Sequence, residues 1–410
     1  MSSGAAFTPA MRVALLVLSL LAAGCASRSE AGAPTPLQRE ITHLVDEMAR
    51  LHPDVDHEVP LRELRAEAAD LAARAPGLTR DELVVGLLRL TTLGDRDGHG
   101  GIFLHDPAHT RPFHFYPLRV HDFSDGVHVV ADASGGDAVG KHVTAIDGMP
   151  IGEVVSRVTP LIPRDNHSTV RLLLPEYLVC AEVLRGLGIV QGPATYSFAD
   201  GSEATVEAGA AALGTAFAPL PSPRPLLLYR GLEQPFVLAP LEGGRSLYLG
   251  YHQVASAPQS LLDRILRAAR KPGFRRLVID ARHNGGGDNT TYDSLLELLR
   301  TKPLNRRGRV AVLIGRMTFS AAGNFAADVD AETNAVLVGE PSGGSPNQWG
   351  DRNPIPLPHA GLTAYVAAEY VEVEHRDTRL AVEPDIRVEP SVADFLAGRD
   401  PVLRRALAFR

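Results

Sequence analysis

Apolar residues change their period along this chain, and each change predicts a different kind of element. From Leu37 to about Gly94 they recur every three or four positions. Ile41, Leu44, Val45 and Met48 form one stripe, the spacing of an amphipathic helix. Leu61, Leu64 and Leu71 predict a second helix that ends near Pro76-Gly77. Thr79 with Glu82 three residues on has the pattern of a capping box, and it opens a third helix through Leu83, Leu87 and Leu90. Residues 38–112 are therefore expected to form an N-terminal helical cap.

From about Phe113 the texture shifts to short alternating runs, such as Phe113/Phe115, Val127–Val130 and His142–Ile146. The pairs Asp125-Gly126 and Asp147-Gly148 separate them, which is hairpin chemistry. Residues 113–240 are expected as a β-rich region. The stretch Gly140–Val155 is similar to the distal half of a PDZ-type module, without the glycine-rich carboxylate-binding loop of such modules. Pro219–Pro225 reads as a linker. From Ser246 onward, near-continuous apolar runs (Arg276–Arg282, Val310–Gly315) alternate with helical patterns (Leu261–Ala269, Leu295–Leu299, and from Ser320). That alternation predicts a largely parallel sheet covered on both faces, spanning 241–410. The fold class expected is multidomain, α+β and α/β. Ligands of such sheets bind at the carboxyl ends of the strands.

The N-terminus departs from all three textures. Arg12 precedes an apolar run from Val13 to Leu21, then Ala22-Ala23-Gly24-Cys25. The apolar stretch is far short of the about 20 residues that a helix needs to cross a bilayer, so it reads as a secretory signal. A cysteine directly after small residues resembles a bacterial lipobox, although Ala22 stands where a large aliphatic residue is usual. Residues 1–25 are expected as a lipoprotein-type signal lipidated at Cys25, and 26–37 as a flexible tether. An ordinary signal with an incidental cysteine is the plainer alternative. The expected location is the bacterial cell envelope, on the periplasmic side of a membrane.

Composition removes several function classes. The net charge of −7 provides no field for nucleic acid. Two cysteines, Cys25 and Cys180, make neither a disulfide framework nor a cysteine-built zinc site. No Walker-type loop and no H-E-x-x-H occurs, and neither a metal nor a cofactor is expected. Of the 41 basic residues only Lys141, Lys271 and Lys302 are lysines.

The candidate chemistry sits in three loops. Ile279–Asn289 carries three consecutive glycines after an apolar strand, where bare N–H groups could receive an oxyanion. Gly315–Phe325 places Ser320 where a strand gives way to a helix, among Ala321, Ala322 and Gly323. A helix start offers unpaired N–H groups to a nucleophile, although a plain N-cap role for Ser320 or Thr318 is the commoner use. Leu93–Phe103 carries His99 on a glycine-rich turn. His105, His109, His114, His121 and His128 read as strand and turn residues.

Together these pieces resemble one family. The order DGH, IDxRxNGGG, GxxFSAA, VLVGEPSGG and VEPDI (Val382–Ile386) is similar to the tail-specific, C-terminal-processing serine peptidases. The resemblance implies a crotonase/ClpP-like α/β core with a helical cap. One branch of that family uses a lysine in the loop after the VGE strand, and here Val338–Asp351 contains none. The other branch, similar to tricorn and the interphotoreceptor retinoid-binding proteins, implies His99 as general base for Ser320. It implies an acid near the C-terminus, Asp377 or alternatively Glu383, and the N–H groups of Gly286 and Ala321 as oxyanion donors. Gly98 stands where the tricorn branch has a serine. The function implied is an exported serine-type peptidase acting on peptide or protein substrates. A catalytically weak peptide- or ligand-binding protein on the same fold is the alternative. A thioester-processing enzyme is disfavoured by export, since CoA is cytoplasmic.

Overall fold

The computed structural model describes residues 33–93, 97–210, 212–373 and 375–409. The expected signal segment and Cys25 lie outside them. Three helices come first: α1 (Pro36–Leu51), α2 (Leu61–Arg74) and α3 (Arg80–Leu93). The apolar stripe of α1 is its buried face, with Ile41, Leu44, Val45 and Met48 each at most 1% exposed. The capping box before α3 forms: the Glu82 carboxylate accepts from Thr79 N at 2.8 Å, and Glu82 N donates to Thr79 Oγ1 at 3.3 Å.

Next come β1 (Leu118–Phe123) and β2 (Gly126–Asp132), an antiparallel hairpin. β3 (Val143–Ile146) and β4 (Met149–Pro150) turn through Asp147 and Gly148, both at positive φ, 47° and 75°. That left-handed pair matches the twist of the flanking strands. α4 (Ile151–Val158), α5 (His167–Tyr177) and α6 (Ala181–Gly186) follow, then β5 (Ala194–Phe198) and β6 (Glu203–Val206). The order in this sheet is β4-β3-β5-β6.

The second half starts with β7 (Phe236–Leu241), β8 (Ser246–Tyr251), α7 (Gln259–Ala269), β9 (Arg276–Asp280) and α8 (Asp293–Arg300). It continues with β10 (Val310–Ile314), α9 (Ala321–Glu332) and β11 (Val336–Gly339). β12 (Gln348–Gly350), β13 (Asn353–Leu357), β14 (Leu362–Val366) and β15 (Glu369–Val371) form two small antiparallel pairs. β16 (Ile386–Arg387), α10 (Val392–Leu396) and α11 (Pro401–Ala408) complete the described chain. The main sheet runs β16-β11-β10-β9-β8-β7, parallel except at the β7 edge.

The unbroken apolar runs have a simple cause: alternate residues of each strand serve opposite faces. Leu277, Ile279, Val312 and Ile314 join one core with α7, α8 and α9. Val278, Ala311 and Leu313 join the other with α11. A third core is continuous from α1 through β6 and includes Ile355, Leu357 and Leu362 of β13 and β14. The cap and the β-rich region therefore share one core across residues 112 and 113. A hairpin from the second half is packed into it. Cys180 is wholly buried in the same core.

Two ion-pair groups fix the carboxyl edge of the main sheet. Arg282, just past β9, binds both oxygens of Asp400 at 2.9 and 2.7 Å and also pairs with Asp280. Arg316, just past β10, binds Glu340 at 2.7 Å and the carbonyl of Asp122 at 2.7 Å. Arg171 of α5 binds Asp122 and Glu389. The second group ties β1 and α5 to the edge where Ser320 sits. Such geometry suits the rigid bidentate fork of arginine.

Candidate active site

Ser320 occupies the junction of the β10 loop and α9, with φ 53° and ψ −134°. A non-glycine residue at positive φ stores backbone strain of about 1–3 kcal/mol, which the surroundings must hold. They do so through backbone bonds: Phe319 N donates to Asn284 O at 3.1 Å, and Gly323 N to Ser320 O at 2.8 Å. The Ser320 side chain caps no helix N–H. Its Oγ lies instead 3.1 Å from His99 Nε2.

His99 reaches this position from the turn after α3. Its N–H donates to Asp97 Oδ1 at 2.6 Å, and Gly98 N donates to Asp165 Oδ1 at 2.6 Å. Gly101 pairs with Tyr365 of β14 in both directions, at 2.9 and 2.8 Å, which anchors the turn. The imidazole packs on Phe319 with ring centroids 4.7 Å apart. A Cβ on Gly98 would fall 2.7 Å from the Phe319 ring, so no side chain fits there without moving it. Burial pushes the His99 pKa down, but the neighbouring carboxyls of Asp97 and Asp165 outweigh it and the net shift is upward.

The two acids expected for His99 lie elsewhere. Asp377 is bound by Arg379 through its side chain, at 2.9 and 2.7 Å, and this hydrogen bonding holds its carboxyl below the usual range. Glu383 is exposed, on the rim of a surface hollow that Arg379 and Arg387 also line. The acid beside His99 is Asp97, with Oδ1 3.6 Å from Nδ1. It stands two positions before His99, inside the quoted DGH motif, so proximity in sequence was the available signal. Asp165, which also acts on His99, had no such signal.

The expected oxyanion pair also needs correcting. Gly286 N–H donates to Asn284 Oδ1 at 3.0 Å, and Asn284 Nδ2 donates to Tyr251 O at 3.0 Å. The side chain of Asn284 is fully buried and folds back over the glycine turn, so the Gly286 donor is already engaged. Ala321 N–H, at the first position of α9, is an end-of-helix donor beside Ser320. Gly286 has a different importance. Its φ is 112°, and a Cβ there would fall 2.7 Å from Ser320 Cβ and 3.1 Å from Ala321 N. Gly286→Ala should displace the serine and lower kcat by about 10²-fold, the usual cost of a misplacement near 1 Å. Steady-state kinetics, with circular dichroism to check folding, tests this.

The loop after β11 runs against Ser320 without contributing a base. A Cβ on Gly344 would lie 2.9 Å from Ser320 N. Ser320 stands where two hollows meet. One, of about 600 Å³, is lined by apolar groups such as Phe103, Leu104, Leu173, Tyr177 and Phe217. The other, of about 420 Å³, is polar, with Asp288, Asn324, Gln348 and Glu369. The further histidines have local roles. His109 bonds Phe103 O and receives Thr363 N, His114 binds Glu182, and His128 contacts the carbonyl of Gly126. His105 stacks on Phe115, and His121 packs on Phe123.

Residues 297–388, from α8 through β16 and including Ser320, match the sequence model of peptidase family S41. The matched segment is 92 of the chain's 410 residues. Ser320 lies inside the matched segment, and His99 and Gly286 lie outside it. The chain is similar in structure to a mutant of CPAF, with TM-score 0.59 and 12% identity over 88% of this chain and 95% of that one. Mature CPAF complexed with lactacystin gives TM-score 0.58 at 12% identity, over 88% and 96%. At that identity the likeness concerns the fold alone. The photosystem II D1 C-terminal processing protease gives TM-score 0.38 at 14% identity, over 87% and 94%. No curated protein sequence matches the chain.

Proposed function

We propose that this protein is a serine peptidase of the S41 type, cleaving peptide bonds with Ser320 as nucleophile and His99 as general base. The observation that carries the reading is the 3.1 Å separation of His99 Nε2 and Ser320 Oγ at the start of α9. In the first step Oγ attacks the scissile carbonyl while Nε2 takes its proton. Nε2 then gives that proton to the leaving amine, and water repeats the sequence on the acyl-enzyme. The Ala321 N–H and the positive end of α9 would receive the developing oxyanion. The apolar and polar hollows on either side of Ser320 suit an extended peptide that runs past it. Incubation of the purified protein with a mixed peptide library, read by mass spectrometry, tests the reading. Cleavage by the wild type and none by Ser320→Ala supports it; equal cleavage by both contradicts it. A peptide-binding protein with little turnover is the second reading, favoured by the engaged Gly286 N–H. It predicts peptide binding without cleavage in the same assay.

We further propose that the protein is exported and anchored by a lipid on Cys25. Arg12, the apolar run Val13–Leu21 and the small residues before Cys25 support this. The mature protein is expected in the membrane fraction, starting at a lipidated Cys25, and Cys25→Ala is expected to release it. Intact mass that includes residues 1–25 without lipid would contradict the proposal.

A further inference from the structure

We infer that Asp97 is the positioning acid of this site, holding the His99 ring through Nδ1. The inference rests on the reading of Ser320 as nucleophile and His99 as base. For Nε2 to take the serine proton, the neutral ring must carry its own proton on Nδ1. Nδ1 is buried and has no hydrogen-bond partner among the described residues. Asp97 Oδ1 is 3.6 Å away, on a side chain whose residue is 1% exposed. The same oxygen accepts the His99 N–H at 2.6 Å, so acid and ring belong to one turn and move together. Catalytic hydrogen bonds are often loose before substrate binds and tighten in the complex.

Among the described residues, the other groups around this turn leave the role to Asp97. Both oxygens of Asp165 are in use, accepting from Gly98 N at 2.6 Å and from Ser345 N at 3.3 Å. Its complete burial raises its pKa to about 7, with Asp97 adding to the rise and His99 opposing it. His52, at the end of α1, packs on Trp349 with centroids 4.5 Å apart and feels the charge of Asp97. Its Nδ1 accepts from Asp54 N at 3.0 Å, so in the neutral ring Nε2 carries the proton. That Nε2 and Asp97 Oδ2 are both buried without a partner among the described residues, one a donor and the other an acceptor. Asp97 thus serves the His99 turn through Oδ1, and its Oδ2 is not committed to another group among the described residues. Arg352 also acts on His99 and opposes the rise in its pKa.

Asp97→Asn tests this, because the amide keeps an oxygen for the His99 N–H while removing the carboxyl. The expected result is a fall in kcat of roughly 10³-fold or more with little change in KM. The acid limb of kcat/KM should also move to lower pH, since the Asp97 carboxyl helps raise the His99 pKa. A residue that only supported the fold would not move that limb. Asp377→Asn and Glu383→Gln should leave kcat near the wild-type value. Wild-type kcat and an unmoved limb in Asp97→Asn would overturn the inference, as would the same loss in Asp377→Asn or Glu383→Gln. If Asp97→Asn does not fold, a crystal structure of the wild type phosphonylated on Ser320 decides. Asp97 within about 3.2 Å of Nδ1 supports the inference, and a different acid there overturns it. Reaction of the wild type with a fluorophosphonate separates the two levels. No labelling of Ser320 removes the nucleophile reading itself. Labelling that is as fast in Asp97→Asn removes only the role of Asp97.

Discussion

Replacing Ser320 by alanine should lower peptide hydrolysis by about 10⁶-fold while leaving peptide binding nearly unchanged, the scale seen when a serine-peptidase nucleophile is removed. Little else depends on this hydroxyl. It caps no helix N–H, and among the described residues its one contact within hydrogen-bond range is His99 Nε2. The unusual backbone at φ 53° is held by bonds from Phe319, Gly323 and Asn324, all through main-chain atoms. Alanine meets the same steric cost at that φ as serine does, so the fold should persist and the loss should appear in kcat. Kinetics with a cleaved peptide, beside an unchanged thermal unfolding curve, checks it. A variant with a tenth of wild-type activity would mean that another group carries the nucleophilic role.

His99→Ala should cost a comparable factor, about 10⁶-fold in kcat, and the double variant with Ser320→Ala should lose hardly more than either alone. A nucleophile and its base act as one unit, so their losses do not add. The pH dependence provides a separate check. A general base must be neutral, so activity falls as pH drops through the pKa of His99. Asp97 and Asp165 raise that value despite burial, which puts the acid limb above that of an ordinary histidine. In His99→Ala the residual rate should lose this limb. An unchanged limb would assign it to another group.

What the sequence revealed differs between the frame and the site. The strands Arg276–Asp280 and Val310–Ile314 were legible because both faces of a parallel sheet are buried, so every position is apolar or paired. The capping box at Thr79 and Glu82 was legible because it is local. The hairpin of β13 and β14 was not, because its apolar residues pack into a core formed by residues between Ile41 and Val206, far earlier in the chain. In the site, Ser320 and His99 could be read from their loops. The engagement of Gly286 by Asn284 could not, since it depends on how a buried amide folds back over its own turn. The acid was sought near the C-terminus, but Arg379 occupies Asp377 there. The carboxyl beside the ring is on the same turn as the histidine.

The residue at which a fluorophosphonate reacts tests the role of Ser320 most directly. The wild type, treated with the probe and digested, should carry the phosphonyl group on Ser320, and labelling should vanish in Ser320→Ala and slow by orders of magnitude in His99→Ala. Labelling at a different residue, or undiminished labelling of Ser320→Ala, would contradict it.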